Sequence, residues 1–235
     1  MFGSHNRIIL TDRSVSRRNQ GLFTMQNEPD TKKSCSSGEL AILEAAEILF
    51  AQKGFDAVSM SAIANLANTS KPNIYHHFKN KNDLYMAVMK TAVRRSSALL
   101  DTLEHAPGTF KQHLTEFAAG QLNNILKHDR STQLMLRETL YEGSQYGQEI
   151  ARLAIGEVFN RLVAMVRHGQ QENEFRKEID PSLAAFMIVS ANMFFFQASP
   201  TMQNIPEVDF IDDANTYSKG VMDVLINGML EKGDD

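Results

Sequence analysis

The chain has 235 residues, 43% of them hydrophobic, and a formal net charge of −4, which is typical of a soluble globular protein with one large or two small domains. Its single cysteine, Cys35, excludes an internal disulfide. No apolar run approaches the roughly 20 residues that span a bilayer, and none resembles a secretion signal. The reducing cytoplasm is therefore the expected location of the protein. The charge is uneven, because residues 1–90 hold 11 Lys and Arg against 8 Asp and Glu, and the N-terminal part is therefore expected to meet a polyanion.

Residues 1–37 are predicted to form a flexible basic arm, because they are rich in Ser, Asn, Arg and Lys and show no sustained apolar period. Such an arm can add non-specific affinity for a polyanion without stabilising the core. Met25 is a candidate for the true first residue, so the sequence leaves open whether residues 1–24 belong to the native protein.

Two helices are predicted next in the chain. The first runs from Glu39 to Lys53, where apolar residues recur at helical spacing and Gly54 follows in the usual C-terminal position. A short second helix follows a cap at Ser59 or Ser61, and the sequence "ANTS" then predicts a tight turn.

A third helix of about two turns is predicted to begin after Ser70, with Pro72 in its first turn, where a missing amide costs no hydrogen bond. Ile74 and Phe78, four residues apart, are expected to face the core. Long polar side chains then point outward from the start of the third helix. This short helix follows the short second helix after a tight turn. This arrangement is typical of a helix-turn-helix that enters a DNA major groove.

The residue types on this third helix suit DNA. Lysine can donate to guanine O6 and N7, asparagine can pair with adenine, and tyrosine or lysine can reach phosphate oxygens. A solvated, charged helix end is the alternative interpretation of the run "KPNIYHHFKNK". No metal site is predicted, because the adjacent His76 and His77 point about 100° apart and lack the i, i+4 partner of a zinc helix. No catalytic residue or cofactor is predicted either, because the sequence contains no Walker loop, nucleophile elbow or dinucleotide fingerprint.

Residues 39–90 carry three motifs, "AA..LF...G" in the first helix, "IA" in the second and "Y.HF.NK..L" from the third helix into the fourth. In these motifs the chain closely resembles the DNA-binding domain of the TetR family of bacterial transcriptional regulators. The resemblance implies that base edges are contacted by Lys71, Pro72 and Asn73. It also implies that phosphates are contacted by Ser59, Tyr75, His77 and Lys81.

The chain departs from the family pattern at two positions. Asn68 stands in the turn where the family usually has glycine, and asparagine still tolerates a left-handed conformation. Ala62 stands before "IA" where the family usually has an acidic residue, so the reciprocal capping pair is missing. The fold is expected to survive both departures.

Six further helices are predicted beyond Asn80, which makes about nine in an all-α chain. The expected ranges are residues 81–105, 110–127, 131–141 and 148–171, then a helix that Asp180 caps and that closes before Pro200, and a last helix with Tyr217, Val221, Val224, Leu225 and Gly228 on one side. We therefore expect a flexible arm at residues 1–37, a helix-turn-helix domain at 38–82 and a larger helical effector-binding and dimerisation domain at 83–235.

The eighth predicted helix contains Phe194, Phe195 and Phe196, which cannot share one face because successive side chains rotate by about 100°. A partner subunit can cover one of these faces, so the eighth and ninth helices are the predicted homodimer interface. The family resemblance implies a four-helix interface at the same place. A wholly intramolecular core is the alternative.

The resemblance also implies a small-molecule site enclosed by helices five to eight. The residues expected to line it, each of which is otherwise plain core, are Phe117, Gln121, Met135, Phe159, Met165 and Asn192. Methionine suits an adaptable cavity, and no charged cluster specifies a ligand. A small apolar effector is therefore expected, and its identity stays open.

The predicted function is a homodimeric, cytoplasmic repressor whose recognition helices enter successive major grooves of a near-palindromic operator, about 34 to 36 Å apart. A small effector would release it from double-stranded DNA, with the fourth helix as the mechanical link. The alternative is a TetR-like assembly protein that binds DNA and a protein partner without an effector. An apolar cavity favours the repressor, and a flat exposed apolar patch favours the assembly protein. Neither hypothesis involves an enzyme or a membrane.

Overall fold

A computed structural model describes residues 36–140, 146–150, 152 and 156–230. Within these ranges the chain is all-α, as predicted, with one isolated bridge between Phe175 and Leu230. The α-helices are α1 (Ser37–Lys53), α2 (Met60–Leu66), α3 (Lys71–His77), α4 (Lys81–Leu103), α5 (Phe110–Lys127), α6 (Asp129–Leu140), α7 (Gly147–Ile150), α8 (Gly156–Gln171), α9 (Pro181–Met202) and α10 (Ala214–Met229). A short 3-10 helix, Asp209–Asp212, precedes α10.

Most predicted boundaries agree with the structure. The predicted fifth helix is α5, and the predicted seventh helix covers α7 and α8, with residues 151 and 153–155 outside the described ranges. The predicted arm lies almost wholly outside them as well, since the description begins at Ser36. The hydroxyl of Ser36 accepts a hydrogen bond from the Glu39 amide, so α1 begins two residues earlier than expected.

α1, α2 and α3 pack around a first core that also receives the N-terminal half of α4. Its large, fully buried side chains include Phe50, Ile63, Ile74 and Tyr85. Leu134, Met135 and Tyr146, from α6 and the residue before α7, belong to the same core. The expected domain border between residues 82 and 83 stays a proposal, and this first core extends beyond it on both α4 and α6.

α5, α8, α9, α10 and the C-terminal part of α4 pack around a second core. Phe117, Leu162 and Phe175 are among its fully buried side chains. α4 therefore belongs to both cores, because its residues up to Met89 pack in the first and Leu100 packs in the second.

α9 ends later than predicted. Asp180 caps it and Pro181 is its first residue, as expected, but the helix continues through Pro200 to Met202. A proline cannot donate to the carbonyl four residues earlier. The Ser199 hydroxyl lies 3.5 Å from that carbonyl, Phe196 O, at the outer limit of a hydrogen bond.

α9 is also long and apolar enough, by length and composition alone, to cross a membrane, contrary to the expectation that the chain has no such segment. The expectation failed because Ser, Asn, Gln and Pro interrupt the apolar runs without adding any charge. α9 packs against α5, α8 and α10, and a core helix of a soluble protein passes the same test. We therefore assign α9 to the helical body.

Candidate nucleic-acid interface and cavity

The turn between α2 and α3 is built from short-range hydrogen bonds. Ser59 caps α2 by accepting from the Ala62 amide at 3.1 Å, and Ser70 caps α3 by accepting from the Asn73 amide at 3.3 Å. Asn68 adopts a φ of 49°, the left-handed conformation expected of it in place of glycine. These contacts fix the start of α3 on the surface of the first core.

α3 presents its predicted DNA-contacting residues unequally. Lys71, Pro72 and Tyr75 are exposed, whereas Asn73 and His77 are half-buried. Ile74 is fully buried and holds the helix on the core. The N-terminal turn of the helix, which is the part that enters the groove in a helix-turn-helix, is therefore exposed.

The side chain of Asn73 is held in place before any DNA binds. Its Nδ2 donates to the Thr69 hydroxyl oxygen at 2.9 Å. One N–H and the carbonyl oxygen of this amide remain, which is the donor and acceptor pair that recognises adenine.

Ser59 can cap α2 and contact phosphate at the same time. Its oxygen accepts from the Ala62 amide, while its own O–H can donate to a phosphate oxygen. The side chain is exposed. The missing acidic residue at position 62 therefore removes only the reciprocal bond and not the cap itself.

Lys81 does not present a free ammonium group. Its Nζ donates to Phe55 O at 2.8 Å, to Val58 O at 3.0 Å and to Asp56 O at 3.4 Å, and it lies 4.2 Å from the centroid of the Phe55 ring. A lysine has three N–H donors, so these carbonyls occupy all of them. This geometry favours a structural role for Lys81, in which it ties the start of α4 to the loop between α1 and α2, over the predicted contact with phosphate.

A cavity of about 130 Å³ lies between α4, α5, α6, α8 and α9. Its lining is apolar except for Ser96, Gln121 and Thr132. The Thr132 hydroxyl is already bonded to Ile125 O and His128 O, both at 3.1 Å. Ser96 and Gln121 therefore supply the side-chain hydrogen-bond donors that a ligand can meet there.

Three of the six residues predicted to form an effector pocket line this cavity, namely Gln121, Met135 and Phe159. Phe117 and Met165 lie in the second core instead. Asn192 lies behind Gln121, because its Nδ2 donates to Gln121 Oε1 and to Ala118 O, both at 2.9 Å. Helical spacing placed all six on inward faces, but it cannot distinguish a core wall from a cavity wall.

α6 connects this cavity to the DNA-binding part, and this connection was not predicted from the sequence. Met135 lines the cavity, and two residues later the Arg137 guanidinium donates to Phe50 O, in α1, at 3.3 Å. The Tyr85 hydroxyl, in α4, donates to the Glu138 carboxylate. Burial and this hydrogen bond hold the pKa of Tyr85 well above its usual value.

α9 and α10 carry large apolar side chains on their outer faces, which we call the outer apolar face. Its most exposed members are Phe186 (59%), Phe194 (66%) and Val224 (73%). Phe195, between the exposed Phe194 and the half-buried Phe196, is buried against Tyr217 with ring centroids 4.2 Å apart. The expectation that consecutive phenylalanines point to different sides is therefore confirmed.

Comparison with known sequences agrees with this geometry. The family model for bacterial regulatory proteins of the tetR family matches residues 42–88, and the model for the tetracyclin repressor-like C-terminal domain matches residues 111–222. The HTH-type transcriptional repressor NicS of Pseudomonas putida is 25% identical over 173 residues, which cover 73% of this chain and 81% of that protein. The HTH-type transcriptional regulator RutR of Escherichia coli is 24% identical over 208 residues, which cover 84% and 92%.

Solved structures share the fold. The fatty acid degradation regulator FadR from Bacillus halodurans has a TM-score of 0.65 at 22% identity, covering 83% of this chain and 98% of that one. The regulator PfmR from Thermus thermophilus has a TM-score of 0.62 at 21% identity, covering 85% and 100%. With its helix-turn-helix and its helical body each matched by a family model, the chain belongs to the TetR family of bacterial transcriptional regulators.

Proposed function

We propose that this regulator is a homodimeric, cytoplasmic repressor that a small, mainly apolar effector releases from a near-palindromic operator. The observation that carries the proposal is the cavity and its position. Its wall includes α6, and α6 also makes hydrogen bonds to α1 and α4 of the DNA-binding part. The similar protein NicS is a transcriptional repressor, which supports repression over activation.

In this proposal the first turn of α3 distinguishes operator sequences. Lys71 would donate to guanine, Asn73 would pair with adenine, and Pro72 would pack against base edges. Phosphate oxygens would be contacted by Ser59, Tyr75 and His77. Lys81 is left out of the phosphate contacts, because its ammonium group is bonded to the loop between α1 and α2.

The outer apolar face supports dimerisation. Phenylalanines exposed by more than half are costly in water, and a second copy that pairs α9 and α10 with their counterparts would cover them. Gly220 and Gly228, on α10, have no atoms within 4 Å of an added Cβ, so the backbone of a partner can approach closely there. The two recognition helices of the dimer would then face successive major grooves.

Release would follow from differential affinity. A ligand that fills the cavity pushes on α4 and α6 together, and both helices hold the first core. If the ligand binds better when the two DNA-binding parts are farther apart, it must weaken operator binding. By linkage the operator must then weaken ligand binding by the same factor, typically about 5- to 150-fold.

The outer apolar face also gives the alternative function its support, because a protein partner could cover it in place of a second copy. An assembly protein of this kind would bind DNA without an effector. The chain is proposed as a non-enzyme under both hypotheses, in keeping with its regulator relatives.

The test begins with sequencing of the genomic fragments that the purified protein retains. We expect fragments that share a near-palindromic site with half-sites about one helical turn apart. Retention of unrelated sequences would contradict a specific repressor. Genes next to the site then suggest effectors, and calorimetry with and without saturating operator measures the linkage. Equal effector affinity in the two titrations would favour the assembly protein.

A further inference from the structure

Gln121 is the polar group of the cavity whose orientation the structure determines. Asn192 donates from Nδ2 to the backbone carbonyl of Ala118, and a carbonyl can only accept. The amide of Asn192 therefore cannot be turned around. The same Nδ2 donates to Gln121, so the Gln121 atom that it meets must be the oxygen.

The remaining polar atom of Gln121 is then its amide nitrogen, Nε2. Gln121 is buried and lines the cavity, and its Nε2 makes no hydrogen bond to a described residue and is not among the fully enclosed polar atoms, so we place it at the open space of the cavity. A ligand that covers this N–H without offering an acceptor leaves a buried donor unpaired, which costs free energy, so a ligand with an acceptor is favoured. The cavity therefore presents a pre-oriented donor that a ligand can satisfy.

The rest of the lining limits the ligand further. Among the described residues no charged side chain lines the cavity, so a carboxylate or an amine would enter without a counter-charge from them. A volume of about 130 Å³ is close to that of an apolar cavity that holds a single benzene ring. Methionine and phenylalanine side chains, including Met135 and Phe159, complete the wall.

We infer that the effector is an uncharged molecule, about one ring in size, that carries a hydrogen-bond acceptor such as a ketone, ester or amide carbonyl. Gln121 donates to this acceptor, and Asn192 is the positioning residue that keeps the donor turned toward it. Ser96 provides a second hydrogen-bonding group on the α4 side of the cavity. The inference deepens the proposed repressor function and rests on it, because a ligand of this cavity is an effector only if it changes operator binding.

The test uses three ring compounds of similar size and the purified full-length protein. Acetophenone carries an acceptor, ethylbenzene carries none, and benzoate carries a charge. Calorimetry gives the affinity of each, and thermal unfolding gives the stabilisation that each produces. We expect acetophenone to bind, and benzoate to produce no stabilisation at concentrations where acetophenone saturates.

The decisive quantity is the ratio of the acetophenone and ethylbenzene affinities, because this ratio cancels the general effect of an altered wall. In Gln121→Met, which keeps the length of the side chain and removes the donor, the ratio should fall about tenfold. Asn192→Ala should lower it in the same direction. The matched control Met193→Leu changes the same cavity without touching the amide pair and should leave the ratio unchanged.

Several outcomes would overturn the inference. In the first, Gln121→Met leaves the ratio of the acetophenone and ethylbenzene affinities unchanged. In the second, benzoate binds as tightly as acetophenone, and in the third none of the three compounds binds. The comparison of compounds on the unaltered protein needs no variant, so a misfolded variant does not block the test.

Failure of the inference and failure of the proposed function are separable. If operator fragments are retained but the three compounds do not discriminate as expected, the inference about the effector is wrong and the repressor proposal stands. If acetophenone binds through Gln121 but no specific operator is retained, the site is supported and the repressor proposal fails.

Discussion

Replacing Lys81 by methionine tests whether this residue stabilises the fold or contacts DNA. The change keeps the apolar stem and removes the ammonium group, which makes hydrogen bonds of 2.8 and 3.0 Å and a longer one of 3.4 Å to three backbone carbonyls. A hydrogen bond to a charged group contributes about 1.5 to 3 kcal/mol, and the lysine–phenylalanine contact adds about 0.5 to 1 kcal/mol.

These contributions do not simply add, because Lys81 is half-exposed and water can replace part of what the ammonium group supplies. We therefore expect Lys81→Met to lower the free energy of unfolding by about 2 to 3 kcal/mol. For a chain of this size that corresponds to a fall in Tm of about 5 to 10 °C. Thermal and denaturant unfolding of the free protein measure both quantities.

Lys79→Met is the matched control. Lys79 is exposed and its ammonium group makes no hydrogen bond among the described residues, so the Tm of this variant should change by less than about 1 °C. Operator titrations at several salt concentrations complete the test, because each phosphate contact adds about 0.9 to the slope of log affinity against log salt. An unchanged Tm together with a smaller slope in Lys81→Met would refute the structural role and restore the phosphate contact.

Four further predictions concern other parts of the chain. Lys71→Ala should weaken operator binding by about 1 to 3 kcal/mol and relax specificity at one base pair of each half-site, which titrations on substituted operators measure. Asn68→Ala should lower the free energy of unfolding by about 1 kcal/mol and Asn68→Gly should not, because only the alanine is strained at a positive φ; equal effects in denaturant unfolding would contradict this. Phe186→Asp should shift the mass in solution from dimer to monomer, whereas Leu126→Asp, on α5 outside the outer apolar face, should remain a dimer by light scattering. Hydrogen bonds from the hydroxyl and the backbone amide of Ser182 lower the pKa of the Asp180 carboxyl below its unfolded value of 3.8. The stabilising effect of this carboxylate is therefore present above pH 3.8 and is lost as the pH falls through the lower folded-state pKa, so the Tm of Asp180→Asn should fall less steeply than that of the unaltered protein at acid pH.

The features that could be predicted from sequence are those that act within one helical turn. Ser70 caps α3 through an amide three residues later, and Gly54 ends α1 by donating to a carbonyl four residues earlier. Asn68 adopts a left-handed conformation, which asparagine tolerates better than most residues. The family motifs are concentrated in the same short segments, so fold and DNA-binding surface could be located together.

The features that could not be predicted depend on contacts between distant residues. Lys81 bonds to carbonyls 23 to 26 residues earlier, and Arg137 reaches a carbonyl 87 residues earlier. The difference between Phe117, in the core, and Gln121, at the cavity, depends on how five helices meet. Helical spacing tells which side chains point inward but not whether an empty space lies in front of them.

The participation of α6 in the first core has a consequence for the order in which the chain folds during synthesis. Leu134, Met135 and Tyr146 complete a core whose other buried members end at Met89. At synthesis rates of about 5 to 20 residues per second, these last members follow Met89 by about 3 to 11 s. During that interval Phe55 and Tyr85 lack their ring contacts with Tyr146, and a fragment that ends with α4 would keep them in that state permanently. The DNA-binding part of this protein is therefore finished only after α5 and α6 have been made, so a nascent chain gains the ability to bind DNA while α8 and α9, which complete the wall of its cavity, are still missing.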